Sequence, residues 1–218
     1  MKELNKLTIN FLGDSITEGV WATAPELCYV ERVGAKLGCK VNNCGICGTR
    51  IAPQTQPSPS ADFDRDFLQR APLMPDANLV FVFGGTNDFG HGDADFGTIT
   101  DESADTFCGA FSNLAKYLTN RYGKSNLCYI LPLHRFNEDN PLGDGSRNKP
   151  TLPLKEYVKA ERTILQQLGI AFLDLSDIFP QPEVSTPTEL FQDGLHPTNK
   201  GHELIAERIC QYVRSLTL

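Results

Sequence analysis

One serine, one aspartate and one histidine lie at positions that suit nucleophilic chemistry. Ser15 ends a Gly-Asp-Ser tripeptide that directly follows the apolar run 7–12, and Asp193 and His196 lie in an Asp-Gly-Leu-His-Pro segment. A serine becomes a nucleophile when a histidine takes its proton, and that histidine needs an acceptor on its other ring nitrogen. The spacing of three residues, with a glycine between, can place the carboxylate against one imidazole nitrogen and leave the other free.

Two further segments can supply donors to a negatively charged oxygen. Asn87 lies in Gly-Gly-Thr-Asn-Asp, after the apolar run 79–82, and its amide can donate a hydrogen bond without adding charge. Gly48 follows a strand predicted to end near Val41, and a glycine lets a backbone N–H approach a ligand closely. Each segment taken alone is also typical of an ordinary turn, because Gly, Asp, Asn and Ser are common turn residues.

The surrounding pattern predicts elements that bring these segments together. Short apolar runs alternate with helical patterns, which predicts a parallel sheet covered by helices on both faces. Ligands bind at the carboxyl ends of the strands in such sheets. The predicted strands are 7–12, 39–43, 79–84, 127–132 and 170–174, and the predicted helices lie near 25–37, 61–71, 103–122, 152–168 and 197–216.

Some details of these elements can be predicted as well. Ser103 and Gly123 suit the beginning and end of the helix near 103–122. Pro197 suits the first turn of the last helix, which places His196 just ahead of it. Two loops rich in Pro, Gly, Asn and Ser, 52–60 and 133–151, are long enough to form the walls of a pocket.

Composition narrows the classes of function. The 218 residues suit one domain, and the net charge of −7 argues against binding to nucleic acid or to anionic membranes. No run approaches the roughly 20 apolar residues of a membrane span, and the amino-terminal residues show no signal-peptide pattern, so we expect a cytoplasmic chain. Nucleotide-binding glycine motifs and a Gly-x-Ser-x-Gly elbow are absent from the sequence.

Seven cysteines at irregular spacing predict reduced thiols that pack as small apolar residues. Cys44 and Cys47 form the one Cys-x-x-Cys motif. A zinc site would need two more ligands, for which Cys28 and Cys39 are poorly spaced, and the flanks of a redox motif are missing. We therefore expect neither a metal nor a cofactor.

The four segments, in their order, resemble the four sequence blocks of the SGNH/GDSL hydrolase family. They span residues 13 to 197, nearly the whole chain. The resemblance implies a flavodoxin-like three-layer α/β/α sandwich with a central five-stranded parallel sheet. It also implies a catalytic triad of Ser15, Asp193 and His196. The oxyanion hole would comprise the backbone N–H groups of Ser15 and Gly48 with the Asn87 side chain, and Gly45 competes with Gly48 as the backbone donor.

The same resemblance implies a carboxylic ester hydrolase acting through an acyl-enzyme. Trp21, His91, His134 and Arg135 are candidate substrate-binding residues, and their aromatic and polar character suits a short acyl group on a hydroxyl-rich alcohol such as an acetylated sugar. The alternatives are an acyl-CoA thioesterase or lysophospholipase, an acyltransferase, and a non-catalytic carbohydrate-binding module. The expected partner is a small-molecule ester, and the sequence leaves the oligomeric state open.

Overall fold

The computed structural model describes residues 4–58 and 60–216 of the chain. Its centre is a five-stranded, all-parallel sheet with the strand order β2-β1-β3-β4-β5. The strands are β1 (Thr8–Gly13), β2 (Lys40–Gly45), β3 (Leu79–Phe83), β4 (Leu127–Ile130) and β5 (Ala171–Leu173). All five predicted strands are therefore confirmed, with ends that shift by one or two residues.

Seven α-helices connect and cover the strands within the described residues. They are α1 (Ser15–Glu18), α2 (Tyr29–Leu37), α3 (Phe67–Arg70), α4 (Thr86–Gly90), α5 (Phe107–Tyr122), α6 (Leu154–Leu168) and α7 (Asn199–Ser215). Short 3-10 turns occupy Leu4–Lys6, Pro25–Leu27, Ala71–Leu73 and Lys124–Asn126. Across this part of the chain, no helix is both long enough and apolar enough to cross a bilayer.

Alternate side chains of the strands enter two separate cores. On β3, Val80 and Val82 pack with α5 and α6, whereas Phe81 and Phe83 pack with α2 and α7 on the opposite face. Both faces of the sheet are thus covered, as the continuous apolar runs predict. The predicted three-layer α/β/α sandwich of the flavodoxin-like type is confirmed.

Several helix boundaries differ from those predicted, and α2 begins at Tyr29, not near residue 25. α5 begins at Phe107, not near Ser103, because the Thr106 hydroxyl caps the helix by accepting the Gly109 N–H (3.2 Å), while Ser103 donates to Asp105. The Gly123 stop is confirmed, at φ +81°.

The last helix is capped by Thr198, so Pro197 lies outside it, although His196 does precede the helix as predicted. The helix predicted over 61–71 shrinks to α3, since Asp66 caps a helix that starts only at Phe67.

Strand register brings the functional segments to one edge of the sheet. Gly13 at the end of β1 pairs with Gly45 of β2 on one side and with Phe83 of β3 on the other. The three neighbouring strands therefore end level with one another. The segments that carry Ser15, Gly48 and Asn87 leave the sheet side by side.

Candidate active site

The side chains of Ser15, His196 and Asp193 form a continuous hydrogen-bonded chain. His196 Nε2 lies 2.9 Å from Ser15 Oγ, and His196 Nδ1 lies 2.8 Å from Asp193 Oδ2. The other carboxylate oxygen, Oδ1, accepts the backbone N–H groups of Leu195 (3.0 Å) and His196 (2.8 Å). This arrangement fixes the imidazole and aims its second nitrogen at the serine, as a general base requires.

The local backbone explains how two residues three apart can meet in this way. Gly194 has φ +77°, in the left-handed region that favours glycine. An added Cβ there would lie 2.7 Å from Phe136 Cβ and 2.8 Å from the Val184 carbonyl oxygen. Gly194 is required both for the turn and for the close packing around it.

Hydrogen bonding keeps Asp193 ionised. Burial would raise the pKa of this carboxyl, but the hydrogen bonds from the His196 ring and backbone outweigh burial and hold the pKa well below its usual range. A carboxylate that stays charged stabilises the imidazolium formed when His196 takes a proton. The electrostatics of the pair therefore suit proton transfer from Ser15.

Ser15 begins α1, and its neighbour caps that helix. The Asp14 carboxylate accepts the Ile16 N–H (3.0 Å), and burial raises the pKa of Asp14 to about 6. The Ser15 N–H has no acceptor among the described residues, as is normal for the first turn of a helix. This N–H is free to bind an oxygen atom next to the Ser15 hydroxyl, and the residue as a whole is only 3% exposed.

Gly48 offers a second free N–H. Thr49 N donates to Ile46 O (3.3 Å) and Gly48 has φ +71°, the geometry of a turn whose third position favours glycine. The Gly48 N–H has no acceptor in the part of the chain that the structure describes. Gly45 is different, because its N–H donates to Asn43 Oδ1 (2.9 Å). The geometry favours Gly48 as the backbone donor over Gly45.

Asn87, on α4, is held against the same turn. Its Nδ2 donates to the carbonyl oxygen of Thr49 (3.0 Å), and the residue is only 4% exposed. An amide nitrogen carries two hydrogens, so one of them remains available. Asn87 can therefore anchor the turn and still donate to an oxygen at the sheet edge.

Arg70 is a residue of the site that the sequence does not predict. This buried guanidinium donates to the Gly13 carbonyl (2.9 Å), to the Thr49 hydroxyl (2.6 Å) and to the Cys44 carbonyl. Burial lowers its pKa to about 10, so it stays charged at neutral pH. Arg70 joins the ends of β1 and β2 to the Gly48 turn. No signal in the sequence distinguishes it from a surface arginine on a helix.

Asp88 was also missed, although it adjoins Asn87. Its two carboxylate oxygens accept the N–H groups of Ile51 (3.0 Å) and Ala52 (2.8 Å). Burial raises the pKa of Asp88 to about 6. Asn87 and Asp88, which are neighbours on α4, thus bind the segment that follows β2 at two points, Thr49 and the Ile51–Ala52 pair. In the sequence, Asp88 is typical only of a turn residue beside Asn87, and nothing there indicates this tether.

Of the four candidate substrate-binding residues, two lie beside the catalytic residues. The Trp21 indole N–H donates to Asp193 Oδ2 (3.1 Å), and the residue is 53% exposed. His91 Nε2 lies 3.2 Å from the Gly48 carbonyl oxygen, and its Nδ1 lies 3.2 Å from Asp144 Oδ2. Burial raises the pKa of Asp144, but hydrogen bonds from His91 and Ser146 outweigh it and lower the pKa to about 2.

The structure places the other two candidates elsewhere. Arg135 is buried against α4, where it donates to the Thr86 carbonyl (3.1 Å) and lies over the Phe89 ring at 5.4 Å. His134 contacts Glu138 (2.9 Å) and lines a cavity of about 270 Å³ between α6 and the ends of β4 and β5. Neither residue reaches Ser15 or His196 through any hydrogen bond in the described chain.

The two long loops do form the walls of a pocket, as predicted. A cavity of about 310 Å³ lies between them. Gln54, Thr55 and Gln56 come from the first loop and Ser146 to Lys149 from the second. His91 lines the same cavity and contacts Gly48, so the pocket adjoins the turn that carries the free N–H.

The cysteine motif adjoins the site without taking the form of a metal or redox centre. All seven cysteines are free. Burial raises the pKa of the thiols of Cys44 and Cys47, which disfavours the reactive thiolate. Within residues 4–58 and 60–216, no three His, Cys, Asp or Glu side chains converge in a way that could hold a metal ion.

Comparison with known proteins shows the family of the chain. The sequence profile described as the GDSL-like Lipase/Acylhydrolase family matches residues 11–204. A GDSL lipase of Mycobacterium tuberculosis is 26% identical over 211 residues, covering 93% of this chain and 79% of the relative.

Two solved structures share the fold. A Lactobacillus plantarum protein is 24% identical, with a TM-score of 0.75 over 98% of this chain and 99% of the other. A putative GDSL-like lipase from Bacteroides ovatus is 22% identical, with a TM-score of 0.64 over 96% and 98% of the two chains.

The fold is a flavodoxin-like sandwich, and the hydrogen-bonded Ser15, His196 and Asp193 lie at one edge of its sheet. The chain belongs to the GDSL-like Lipase/Acylhydrolase family, whose profile spans both the Ser15 and the His196 segments. It is a hydrolase of that family, of the esterase type.

Proposed function

We propose that the protein cleaves carboxylic esters through an acyl-enzyme formed on Ser15. His196 Nε2 takes the Ser15 proton as Oγ attacks the ester carbonyl carbon, and Asp193 stabilises the resulting imidazolium. The tetrahedral intermediate collapses as His196 returns the proton to the leaving alcohol. Water, activated by the same histidine, then releases the acid and restores Ser15. One observation carries this proposal: the hydrogen-bonded chain at 2.9 and 2.8 Å that runs from Ser15 through His196 to Asp193.

Three donors would stabilise the negatively charged oxygen of the intermediate. They are the free N–H groups of Ser15 and Gly48 and the remaining amide hydrogen of Asn87. Donors that are fixed before the reaction stabilise developing charge without reorganising, and each contributes roughly 3 kcal/mol to the transition state. The tethers from Asn87, Asp88 and Arg70 hold the Gly48 turn in place.

For the substrate, we propose a short acyl group on a hydroxyl-rich alcohol such as a sugar. The cavity beside Gly48 is lined largely by amide, hydroxyl and charged side chains, which suit hydroxyl groups better than an acyl chain. Trp21 presents an exposed aromatic surface beside Asp193, on which a sugar ring can pack. Trp21 and His91 are therefore the proposed substrate contacts. The burial of Arg135 and the separate cavity of His134 argue against a direct role for those two residues.

The first experiment replaces Ser15 with alanine. We expect Ser15→Ala to abolish hydrolysis of p-nitrophenyl acetate and labelling by a fluorophosphonate, while circular dichroism and the urea midpoint stay those of a folded protein. Ser103→Ala, an exposed serine at the start of the α5 segment, is the matched control and should keep full activity. Turnover by Ser15→Ala would overturn the mechanism. A wild-type protein that fails to react with the fluorophosphonate would indicate a non-catalytic binding module.

A second experiment addresses the substrate and the acceptor. Initial rates would be compared for acetylated sugars, p-nitrophenyl esters of increasing acyl length, an acyl-CoA and a lysophospholipid. We expect the acetylated sugars to give the highest kcat/KM. A preference for long acyl chains or for the thioester would favour the lysophospholipase or thioesterase alternative. Transfer of the acetyl group to an added alcohol in preference to water would identify an acyltransferase.

We propose a small-molecule ester as the partner and the cytoplasm as the location. All seven cysteines are free, including the pair nearest the site, and free thiols persist in a reducing compartment. The net charge of −7 supports a neutral or cationic small molecule over nucleic acid.

A further inference from the structure

Trp21 occupies a backbone position that normally requires glycine. Ala22 N donates to Gly19 O (2.9 Å), which closes a four-residue turn with Trp21 in its third position. Trp21 has φ +69°, a conformation that a bulky aromatic residue rarely adopts. Such a strained residue persists where the surrounding structure requires it, and strain of this kind clusters at functional sites. The contacts of the Trp21 side chain indicate which group the strained turn positions.

The indole N–H binds the acid of the triad. Trp21 Nε1 donates to Asp193 Oδ2 at 3.1 Å, and the same oxygen accepts from His196 Nδ1 at 2.8 Å. The other oxygen, Oδ1, is bound by two backbone N–H groups. Among the described residues, Trp21 and His196 are the two side chains that donate to this carboxylate. Without Trp21, Oδ2 would keep a single donor.

We propose that Trp21 is a positioning residue that acts on His196 through Asp193, an inference that rests on the proposed function of this site. The indole N–H fixes the plane of the carboxylate against the imidazole and withdraws part of the negative charge from Oδ2. The strained turn sets the direction of that N–H. This role is separate from any contact between the exposed face of the ring and the substrate.

Trp21→Phe separates the two roles, because phenylalanine keeps an aromatic ring and loses the N–H. We expect kcat for p-nitrophenyl acetate to fall on the order of tenfold, as for the loss of one hydrogen bond to a charged group, with KM changed by less than about twofold. With less charge withdrawn from Oδ2, the protonated imidazole is favoured. The acid limb of the kcat/KM profile should therefore move to higher pH.

Other groups influence the same pair and stay in place in this variant. Asp14, Arg135 and His202 act electrostatically on Asp193 or His196, and none of them contacts Trp21 through a hydrogen bond in the described chain. A change in the acid limb of Trp21→Phe therefore reports the missing N–H.

A second measurement does not depend on the folding of that variant. Trp21 is the single tryptophan of the chain, so its emission reports this site alone. We expect Asp193→Ala to change the emission intensity or maximum, and Asp174→Ala to leave both unchanged. Asp174 is a matched control, since it is partly exposed and also ion-paired, to Arg162 (2.6 Å).

The outcomes distinguish the two proposals. If the wild-type protein hydrolyses esters and Trp21→Phe has the same kcat and pH profile, the positioning role is overturned and the proposed function stands. A higher KM with unchanged kcat and acid limb would likewise overturn positioning, in favour of substrate contact alone. Emission that is identical in Asp193→Ala and wild type would also overturn it. An absence of ester hydrolysis by the wild-type protein overturns the proposed function itself.

Discussion

The Nδ2 atom of Asn87 lies 3.0 Å from the carbonyl oxygen of Thr49, which joins the segments that follow β3 and β2 across the end of β1. Ser15 emerges from β1 between these two segments. The residue proposed to bind the oxyanion thus also fixes the turn that supplies the neighbouring backbone donor. Loss of this side chain affects both functions at once.

We expect Asn87→Ala to lower kcat for p-nitrophenyl acetate by roughly a hundredfold to a thousandfold, as for the loss of one oxyanion donor. KM should change little, because the donor acts mainly in the transition state. Steady-state kinetics would measure both values. The control is Asn113→Ala, which removes an amide that donates to the Glu102 carbonyl far from the site. A kcat within threefold of wild type would contradict the role of Asn87.

Substitutions at Gly85 and Gly145 form a matched pair that tests how tightly the chain packs next to Asn87. Both have positive φ, +101° and +97°, but an added Cβ at Gly85 would lie 2.1 Å from Glu161 Oε1, whereas nothing lies within 4 Å at Gly145. We expect Gly145→Ala to lower the free energy of unfolding by about 1 kcal/mol and Gly85→Ala by roughly 2–4 kcal/mol, through strain plus overpacking. Urea unfolding would measure both. Equal decreases in the unfolding free energy of the two variants would show that backbone strain, without overpacking against Glu161, accounts for the effect.

Glu161 should make stability depend on pH. It is buried on α6 with Oε1 lacking a hydrogen-bond partner, and burial, followed by the charges of Asp88 and Asp14, raises its pKa well above its usual value. A raised folded-state pKa means that its contribution to stability is fully present below about pH 4.5, the unfolded value, and is lost as pH rises through the folded pKa.

We expect Glu161→Gln to weaken this loss, because glutamine is neutral at every pH. Urea unfolding from acidic to alkaline pH would measure the unfolding free energies of the variant and of the wild type. As pH rises, the stability of the variant relative to the wild type should increase. Glu156→Gln, which alters a partly exposed carboxylate of the same helix, is the control. A difference that stays constant with pH would contradict the assignment.

We expect Arg70→Lys to destabilise the site as well as the fold. A lysine cannot reach the Gly13, Cys44 and Thr49 oxygens together, so buried acceptors lose their donors. The free energy of unfolding should fall by roughly 3 kcal/mol, and kcat should fall because the Gly48 turn is less well held. Arg65→Lys, on an exposed side chain, should change both by little. Calorimetry and steady-state kinetics would test the pair.

The sequence sufficed for the strands and for the residues at their ends. Strands buried on both faces are continuous apolar runs, and a turn of small residues after each run predicts where side chains such as Ser15 and Asn87 emerge. The Asp193 and His196 pair was predictable because its geometry is local. The choice between Gly45 and Gly48 was not predictable in the same way, because the residue types do not show that the Gly45 N–H already donates to Asn43 Oδ1.

The supporting residues could not be predicted, for a physical reason. Arg70 and Glu161 are charged residues of the kind that ordinarily lie on the exposed surface of a helix. Their burial follows only from how α3 and α6 pack against the sheet. The start of α5 also depends on which of two nearby hydroxyl groups caps the helix. The Ser103 hydroxyl donates to Asp105, and the Thr106 hydroxyl caps α5. The four candidate substrate residues separated for the same reason, because neighbouring residues of one loop can have different surroundings: His134 lines a cavity, whereas Arg135 is buried against α4.

The bond between Ser15 and His196 joins positions 181 residues apart, and His196 lies shortly ahead of Asn199, where α7, the last helix described, begins. That helix packs against α2 on the far side of the sheet from α5 and α6. A chain still emerging from the ribosome therefore contains Ser15 long before His196. In the mechanism proposed here, Ser15 therefore gains its base only when the segment ahead of the final helix docks.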